Sequence, residues 1–565
     1  MSLNLKPTPI TLKQTMTTTR ILPPTPEAHQ SQLLIRSIFE QSLKYEPNRE
    51  IVYRDLVRHT YRDFNKRVAR LAHVLTNHLQ IAQGKTVAFL DYDSHRYLEG
   101  YFAIPMVGAV LHMINFRLSP NEILYTINHA EDAVIFCHED FLPILEGMQG
   151  KMDTVQHIVL LSDSGTTPET SLTLSGEYED LLLQHPDTYD FPYFSEDSIA
   201  TTFYTTGTTG LPKGVYFSHR QLVLHTFGLA TALGTMDNAL KIGSNDVYMP
   251  ITPMFHVHAW GFPFLATFLG MQQVYPGRYE PPMLLKLVLQ EKVTVSHCVP
   301  TILQMLVNHP QVKTFDLTNW KVVIGGSALP RGLAMAAMDL GIEIITGYGM
   351  SETCPVLSLT YLNRKTMSHL TEEEEADLRV KTGRPIQMVD IKLMNDEGQF
   401  LPNDGKSTGE IVVRAPWLTQ GYYKDEERSQ ELWQYGYLHT GDIATIDPVG
   451  VITITDRKKD VIKSGGEWIS SLLIESLISQ HPDVQETAVV AVPDQRWQER
   501  PLALIVARPD TNLTDEELIR HMEQFSDSGK ISHYAVPKQY KFVSEIPKTS
   551  VGKIDKKRIK KELEV

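Results

Sequence analysis

The clearest place for chemistry in this 565-residue sequence is the run Thr205-Thr206-Gly207-Thr208-Thr209-Gly210-Leu211-Pro212-Lys213-Gly214. Its glycines permit positive φ and close backbone approach, its threonine hydroxyls and free amides can donate to phosphate oxygens, and Lys213 adds a mobile cation. That is a cradle for a polyphosphate. The glycine-to-lysine spacing and the residue after Lys213 differ from the Walker arrangement. Read alone, the run serves equally as a polar turn between the apolar run Ile199–Tyr204 and an expected helix. Other candidates also have a plain reading: Glu352 as a helix-capping acid, Gly325-Gly326-Ser327 as a turn, and Lys553 as part of a basic terminal helix with Lys556, Lys557, Lys560 and Lys561. His256 and His258 alternate on a strand-like segment without a matched third ligand, which points to packed or substrate-facing groups rather than a metal site. Cys137, Cys298 and Cys354 have neither disulfide-framework nor metal spacing, so a reducing cytoplasm is expected.

The order of the remaining motifs narrows these readings. Gly325-Gly326-Ser327-Ala328 follows one apolar run, and Gly347-Tyr348-Gly349-Met350-Ser351-Glu352-Thr353 follows another, Ile342–Ile345. After them come Gly441-Asp442, Arg457, Lys463-Ser464-Gly465-Gly466-Glu467-Trp468-Ile469 and Pro547-Lys548-Thr549-Ser550-Val551-Gly552-Lys553. From about residue 35 to the end, the series resembles the adenylate-forming (AMP-binding) superfamily of acyl-CoA synthetases, firefly-type luciferases and peptide-synthetase adenylation domains.

The resemblance implies a role for each station. Thr205, Thr206, Gly207, Thr208, Thr209, Gly210 and Lys213 would hold the ATP phosphates, with Thr205, Lys213, Glu352 and Lys553 acting in catalysis. Gly326, Ser327, Ala328, Gly347, Tyr348, Gly349 and Met350 would line the adenine pocket, and Thr353 would meet the α-phosphate. Glu352, with Thr205, would bind Mg²⁺. Asp442 would accept from both ribose hydroxyls, with Arg457 as its partner, and Lys459 would be the hinge. Lys463, Gly465, Gly466, Glu467 and Trp468 belong to the loop that would swing in to admit the pantetheine arm of coenzyme A. His256, Trp260, Phe262 and Gly349 would face the acid. No aspartate stands near His256 to hold an ammonium group, so the pocket should be apolar. The segment is similar to medium- and long-chain fatty-acyl-CoA synthetases, in some of which a tryptophan at the Trp260 position gates the acyl tunnel. Plain core packing stays open for Trp260. The implied activity is ATP-dependent ligation of a fatty acid to coenzyme A through an acyl-AMP. Alternatives are loading of a carrier protein, a fatty-acid uptake and trapping role, and, least favoured, a luciferase-like oxygenase. By analogy with relatives of this pattern, a homodimer is implied.

To bring such distant segments together, the chain must build more than one core, because a single core stops growing at about 250–300 residues. Brief β-rich runs (Val87–Leu90, Ala133–Phe136, Ile158–Leu161, Val293–Ser296, Val322–Ile324, Ile342–Ile345) alternate with helical patterns, of which Phe64, Val68, Leu71 and Leu75 behind a Thr60 cap is the clearest. The expected fold is α/β: a large domain of mainly parallel sheets covered by helices. Closely spaced strands beyond residue 390 suggest a distorted barrel or smaller antiparallel element closing it. The charged stretch 456–460 then leads to a small mobile α+β domain in which Leu473, Leu477 and Ile478 share a helix face. The expected divisions are a mobile lead-in over 1–34, a large domain over 35–458 and a small domain over 459–565. A net charge of -14 argues against nucleic acid as a partner. The N-terminal segment lacks a secretory pattern, and Tyr101–Phe116, interrupted by Pro105 and His112, reads as a buried helix rather than a membrane span. Peripheral membrane contact stays open.

Overall fold

The structure, a computed structural model, describes residues 23–205, 211–363, 365–464, 467–549 and 552–564, with only the backbone of Glu467 and Trp468. Two mainly parallel sheets make the body. The nine-stranded one runs in the order Arg384–Pro385, Val356–Leu359, Glu343–Gly349, Lys321–Ile324, Val295–Cys298, Val247–Pro250, Gln272–Tyr275, Glu50–Tyr53 and Val57–Thr60. It is parallel at its centre and antiparallel at both edges. The seven-stranded sheet is parallel until its last pair, Ile199–Thr205 with Lys213–Ser218. Continuous apolar strands such as Thr86–Leu90, buried at every residue, suit sheets covered on both faces.

Local chemistry explains the elements around these sheets. Helix Tyr61–His73 starts at a capping box in which the Thr60 side chain accepts from the Asp63 amide and Asp63 reaches back to the Thr60 amide. Tyr61, Phe64, Val68 and Leu71 then form its buried stripe. The strands expected to make a distorted barrel or smaller antiparallel element form a five-stranded antiparallel sheet: Asp390–Met394, Gly409–Arg414, Trp433–Gln434, Tyr437–Ile446 and Ile452–Arg457. Beyond it, the hairpin Val484–Asp494 and Gln498–Ala507 anchors the C-terminal sheet, against which helix Ser471–Ile478 packs with Ile474, Leu477 and Ile478 inward.

Four local readings change. Tyr101–Phe116 divides between a helix and a strand: helix His95–Met106 is buried throughout, and Val110–Met113 joins the seven-stranded sheet. Pro105 sits in the last turn, near where the helix stops. A strand, Lys213–Ser218, rather than a helix directly follows the phosphate-loop motif; helix His219–Gly234 comes after it. Alternating Val215 and Phe217 bury one face of that strand, a period-two signal in a run too short to stand out. Leu473 points outward at 43% exposure, leaving Ile474 to complete the buried face. The segment around His256 and His258 is a left-handed turn, described below, rather than a strand. Among the described residues, no helix is long and apolar enough to cross a membrane.

Candidate active site

The strand Glu343–Gly349 carries Tyr348 to the centre of the site, where its hydroxyl donates to Asp442 Oδ2 over 2.7 Å. Asp442 also faces Arg457, with Nε 3.2 Å from Oδ1, because the strands Tyr437–Ile446 and Ile452–Arg457 pair Asp442 directly with Arg457. Burial beside that carboxylate drives the Tyr348 phenol well above its usual range, so the tyrosine stays a donor.

At the end of the same strand, a Cβ on Gly349 would lie 1.9 Å from the Pro355 carbonyl oxygen, so only glycine fits. The turn that follows presents Glu352, whose Oε1 accepts from the Tyr422 hydroxyl at 2.8 Å. Lys213 lies over the same tyrosine, its ammonium 4.5 Å from the ring centroid. Tyr422 thereby ties the phosphate-loop lysine to the acid expected to bind metal, a link that the sequence reading missed. Its signal was the Gly421-Tyr422-Tyr423 stretch, which looks like an ordinary turn. Thr353 is fully buried, and its hydroxyl is engaged within the turn, accepting from the Met350 amide and donating to the Pro355 carbonyl. As folded here it shapes the turn that aims Glu352.

Lys553 enters from the C-terminal region. Gly326, at φ +80°, leaves room for it: a Cβ there would stand 3.2 Å from Lys553 Cε. Thr301 accepts this placement by donating its hydroxyl to the Gly552 carbonyl at 3.0 Å. Burial, then the neighbouring Arg457 charge, lowers Lys553 to about 8, against the opposing pull of Asp442 and Glu352. Lys553, Glu352, Asp442 and Arg457 thus share one cleft. Ser327 and Ala328 stand exposed at its lip, and Met350 is partly buried beside it.

The residues expected to face the acid lie on a tightly packed turn. Val257, His258, Ala259 and Trp260 all take positive φ, from 42° to 60°, a left-handed turn that L-residues adopt only when packing imposes it. Trp260 is buried against His297, with ring centroids 5.0 Å apart, and a Cβ on Gly325 would stand 3.1 Å from its indole ring. Phe262 stacks on the same histidine at 4.7 Å. Burial, then Lys553 and Arg117, holds His256 down to about 3, so it is neutral here. His258 shares a 2.7 Å hydrogen bond with Thr201 and belongs to the packing. Asp93, also missed, accepts from the Met254 amide and the Tyr279 hydroxyl and so fixes the start of this segment; burial raises it to about 7. Nothing in its isolated position after Thr86–Leu90 marked it out.

Thr205 ends its strand opposite Lys213. Thr206, Gly207, Thr208, Thr209, Gly210, Gly465 and Gly466 lie outside the described residues. Lys463 sits in the C-terminal sheet, paired in register with Trp468, its amide donating to Glu499; Glu467 ends the facing strand. Lys459 follows strand Ile452–Arg457, where burial and Arg457 lower its basicity.

A hard, oxygen-liganded cation would find the Glu352 carboxylate here, and among the described residues there is no group of three or more acidic, histidine or cysteine side chains to cage it. The donor set fits Mg²⁺ shared with nucleotide oxygens rather than one enclosed by protein.

A family model described as AMP-binding enzyme matches residues 39–423, and one described as AMP-binding enzyme C-terminal domain matches residues 473–553. The long-chain-fatty-acid–CoA ligase of Thermus thermophilus is 40% identical over 538 residues, 94% of this chain and 96% of that protein. The medium-chain-fatty-acid–CoA ligase of Ectopseudomonas oleovorans is 36% identical over 541 residues, again 94% and 96%. Among solved structures, the anthranilate CoA ligase AuaEII in complex with anthranoyl-AMP aligns with a TM-score of 0.82 at 25% identity, over 94% of this chain and 97% of that one.

Proposed function

The chain belongs to the AMP-binding enzyme family, and from that premise we propose that it is an adenylate-forming ligase that joins a medium- or long-chain fatty acid to coenzyme A. One observation carries the reading: Tyr348, Glu352, Asp442, Arg457 and Lys553, from segments far apart in sequence, meet in a single cleft with opposite charges set for a nucleotide. The buried aromatic rings of Trp260 and Phe262, and the full-length likeness to two fatty-acid–CoA ligases, support an apolar acid.

A thiol cannot convert a free carboxylate to a thioester directly, because oxide would have to leave. In the proposed first step the acid attacks the α-phosphorus of ATP, forming the acyl phosphate anhydride bond and breaking the bond to pyrophosphate. Lys553 and Lys213 would supply positive charge to the phosphate oxygens and the departing group, which is positioning and electrostatic work. Asp442, steadied by Tyr348 and Arg457, would accept from the ribose diol. Glu352 and Thr205 would hold Mg²⁺, which when bound neutralises phosphate charge. In the second step the coenzyme A thiol attacks the acyl carbonyl and AMP leaves. Rotation of the small domain about Lys459 would withdraw Lys553 and bring up the loop from Lys463 to Trp468.

Acid-dependent exchange of labelled pyrophosphate into ATP, followed by AMP release on adding coenzyme A, tests both steps. Exchange that is fastest with medium or long straight-chain acids is expected. Absence of exchange with every acid would sink the ligase reading. Exchange without AMP release until a carrier protein is supplied would move the acceptor from coenzyme A to the carrier.

A further inference from the structure

Three residues beyond Lys553, a buried ion pair fastens its loop. Lys556 opens helix Lys556–Glu562 and places its ammonium 2.8 Å from Glu475 Oε1 and 2.5 Å from Ser471 Oγ. The two charged side chains are only 11% and 12% exposed, and the same Glu475 oxygen accepts from the Val489 amide at 2.8 Å. Ser471 passes the connection on, donating its amide and its hydroxyl to Asp456 Oδ2 at 2.7 and 2.5 Å. Beside it, Ser470 donates to the Thr455 carbonyl.

The chain order gives this path its meaning. Asp456 precedes Lys459 and is held in register opposite Ile443 in the five-stranded sheet. Ser471, Glu475 and Lys556 all follow Lys459. A turn of the small domain about Lys459 would therefore move Ser471 relative to Asp456, yet leave the Lys556–Glu475–Val489 cluster whole. An apolar pair of similar volume would fill the place of Lys556 and Glu475 as stably, because two buried charges lose most of their attraction to desolvation. What an apolar pair would lack is direction: it would hold Ser471 and the Lys553 loop in no particular orientation.

We propose that Lys556 and Glu475 are positioning residues for Lys553, and that Asp456 with Ser471 forms a catch holding the small domain in the orientation that presents this lysine to the cleft. The inference rests on the proposed two-step ligation, in which Lys553 serves the first step. It assigns the ion pair to one half of the cycle and predicts that its loss separates the halves.

The test uses the full-length protein with Lys556→Met/Glu475→Met together, Asp456→Asn, and Lys556→Arg as the conservative variant. The paired substitution removes both members of the ion pair at once and leaves Asp456, which also faces Lys556, on its two Ser471 donors. Three quantities are read: pyrophosphate exchange, thioester formation from supplied acyl-AMP, and the rate of tryptic cleavage at Arg457, Lys458 and Lys459. The double variant and Asp456→Asn should lose exchange by about ten- to a hundredfold, the usual effect of misplacing a charge by an ångström or so. Thioester formation should stay within about twofold or rise, because the interaction removed serves only one step. Cleavage at the hinge should be several times faster, and Lys556→Arg should retain most of the exchange. Equal loss in both steps with unchanged cleavage would make the cluster ordinary core and overturn the proposal, as would full retention of exchange. If the unaltered protein catalyses no exchange with any acid, the ligase reading fails, and cleavage alone judges the catch: faster in Asp456→Asn upholds it, and unchanged overturns it.

Discussion

Replacing Tyr422 with phenylalanine would test whether this tyrosine orients Glu352. The substitution removes one oxygen and keeps the ring, so the Lys213 ammonium, 4.5 Å from the centroid, retains its aromatic platform. What disappears is the 2.8 Å hydrogen bond to Glu352 Oε1, between two residues each 8% exposed. A hydrogen bond to a buried charged group is worth about 1.5–3 kcal/mol. Each 1.4 kcal/mol is tenfold in rate, so the adenylation step should slow by about ten- to a hundredfold if the bond serves the transition state. Because the Glu352 backbone carbonyl still accepts from the Thr419 amide at 3.0 Å, the turn itself should stay in place. The assay is pyrophosphate exchange at fixed acid and ATP over a range of Mg²⁺ concentration, with thioester formation from supplied acyl-AMP as the internal control. Slower exchange that excess Mg²⁺ partly restores, beside an unchanged second step, is the expected pattern. An unchanged exchange rate, or equal slowing of both steps, would refute an orienting role for Tyr422.

Lys553→Ala should lower exchange by ~10² or more, as for loss of one aimed charge, and spare thioester formation from supplied acyl-AMP. Lys553 is held near 8, below the usual lysine value, so its charge is present below that pH and is lost above it. Apparent kcat/KM for adenylation should therefore fall as pH rises through about 8, and Lys553→Arg should flatten the profile. Asp442→Asn, which keeps the shape of the group but leaves Arg457 unpaired, should raise KM for ATP by about ten- to a hundredfold, read from initial rates at varied ATP. Asp93 is raised to about 7 from 3.8, so its contribution to stability is fully present below pH 4 and is lost as pH rises through 7. Urea unfolding of Asp93→Asn and the unaltered protein should converge at low pH. Near pH 8 they should differ by on the order of 2–4 kcal/mol in favour of the variant, and no divergence would contradict the buried acid.

Much of this arrangement was legible because it depends on local, repeating chemistry. The capping box at Thr60 and the fully buried strands announce themselves through residue type and spacing. The order of the phosphate-loop, Tyr348–Glu352, Asp442 and Lys553 motifs then located the cleft before any contact was known. What escaped depends on partners distant in the chain. Tyr422 matters only because Glu352 lies 70 positions away in sequence, and Asp93 only because Met254 and Tyr279 come to it. The left-handed turn at Val257–Trp260 was equally hidden: none of its four residues favours positive φ, so tertiary packing, not local preference, sets it.

The terminal lysines show the same division most sharply. In sequence, Lys553, Lys556, Lys557, Lys560 and Lys561 read as one basic run, and the plain expectation was a basic terminal helix. Folding sorts them by neighbour. Lys557 is exposed, Lys556 is closed over by Glu475, and Lys553 lies against Gly326 in the cleft. The acids respond to the same geometry: Asp442 and Glu352 act on Lys553, while Glu475 and Asp456 act on Lys556. Charge in this region is therefore allotted by where each side chain lands rather than by composition. A lysine-rich tail thus yields one lysine beside Gly326, near Asp442 and Glu352, and, three residues later, one bound within the protein's own frame.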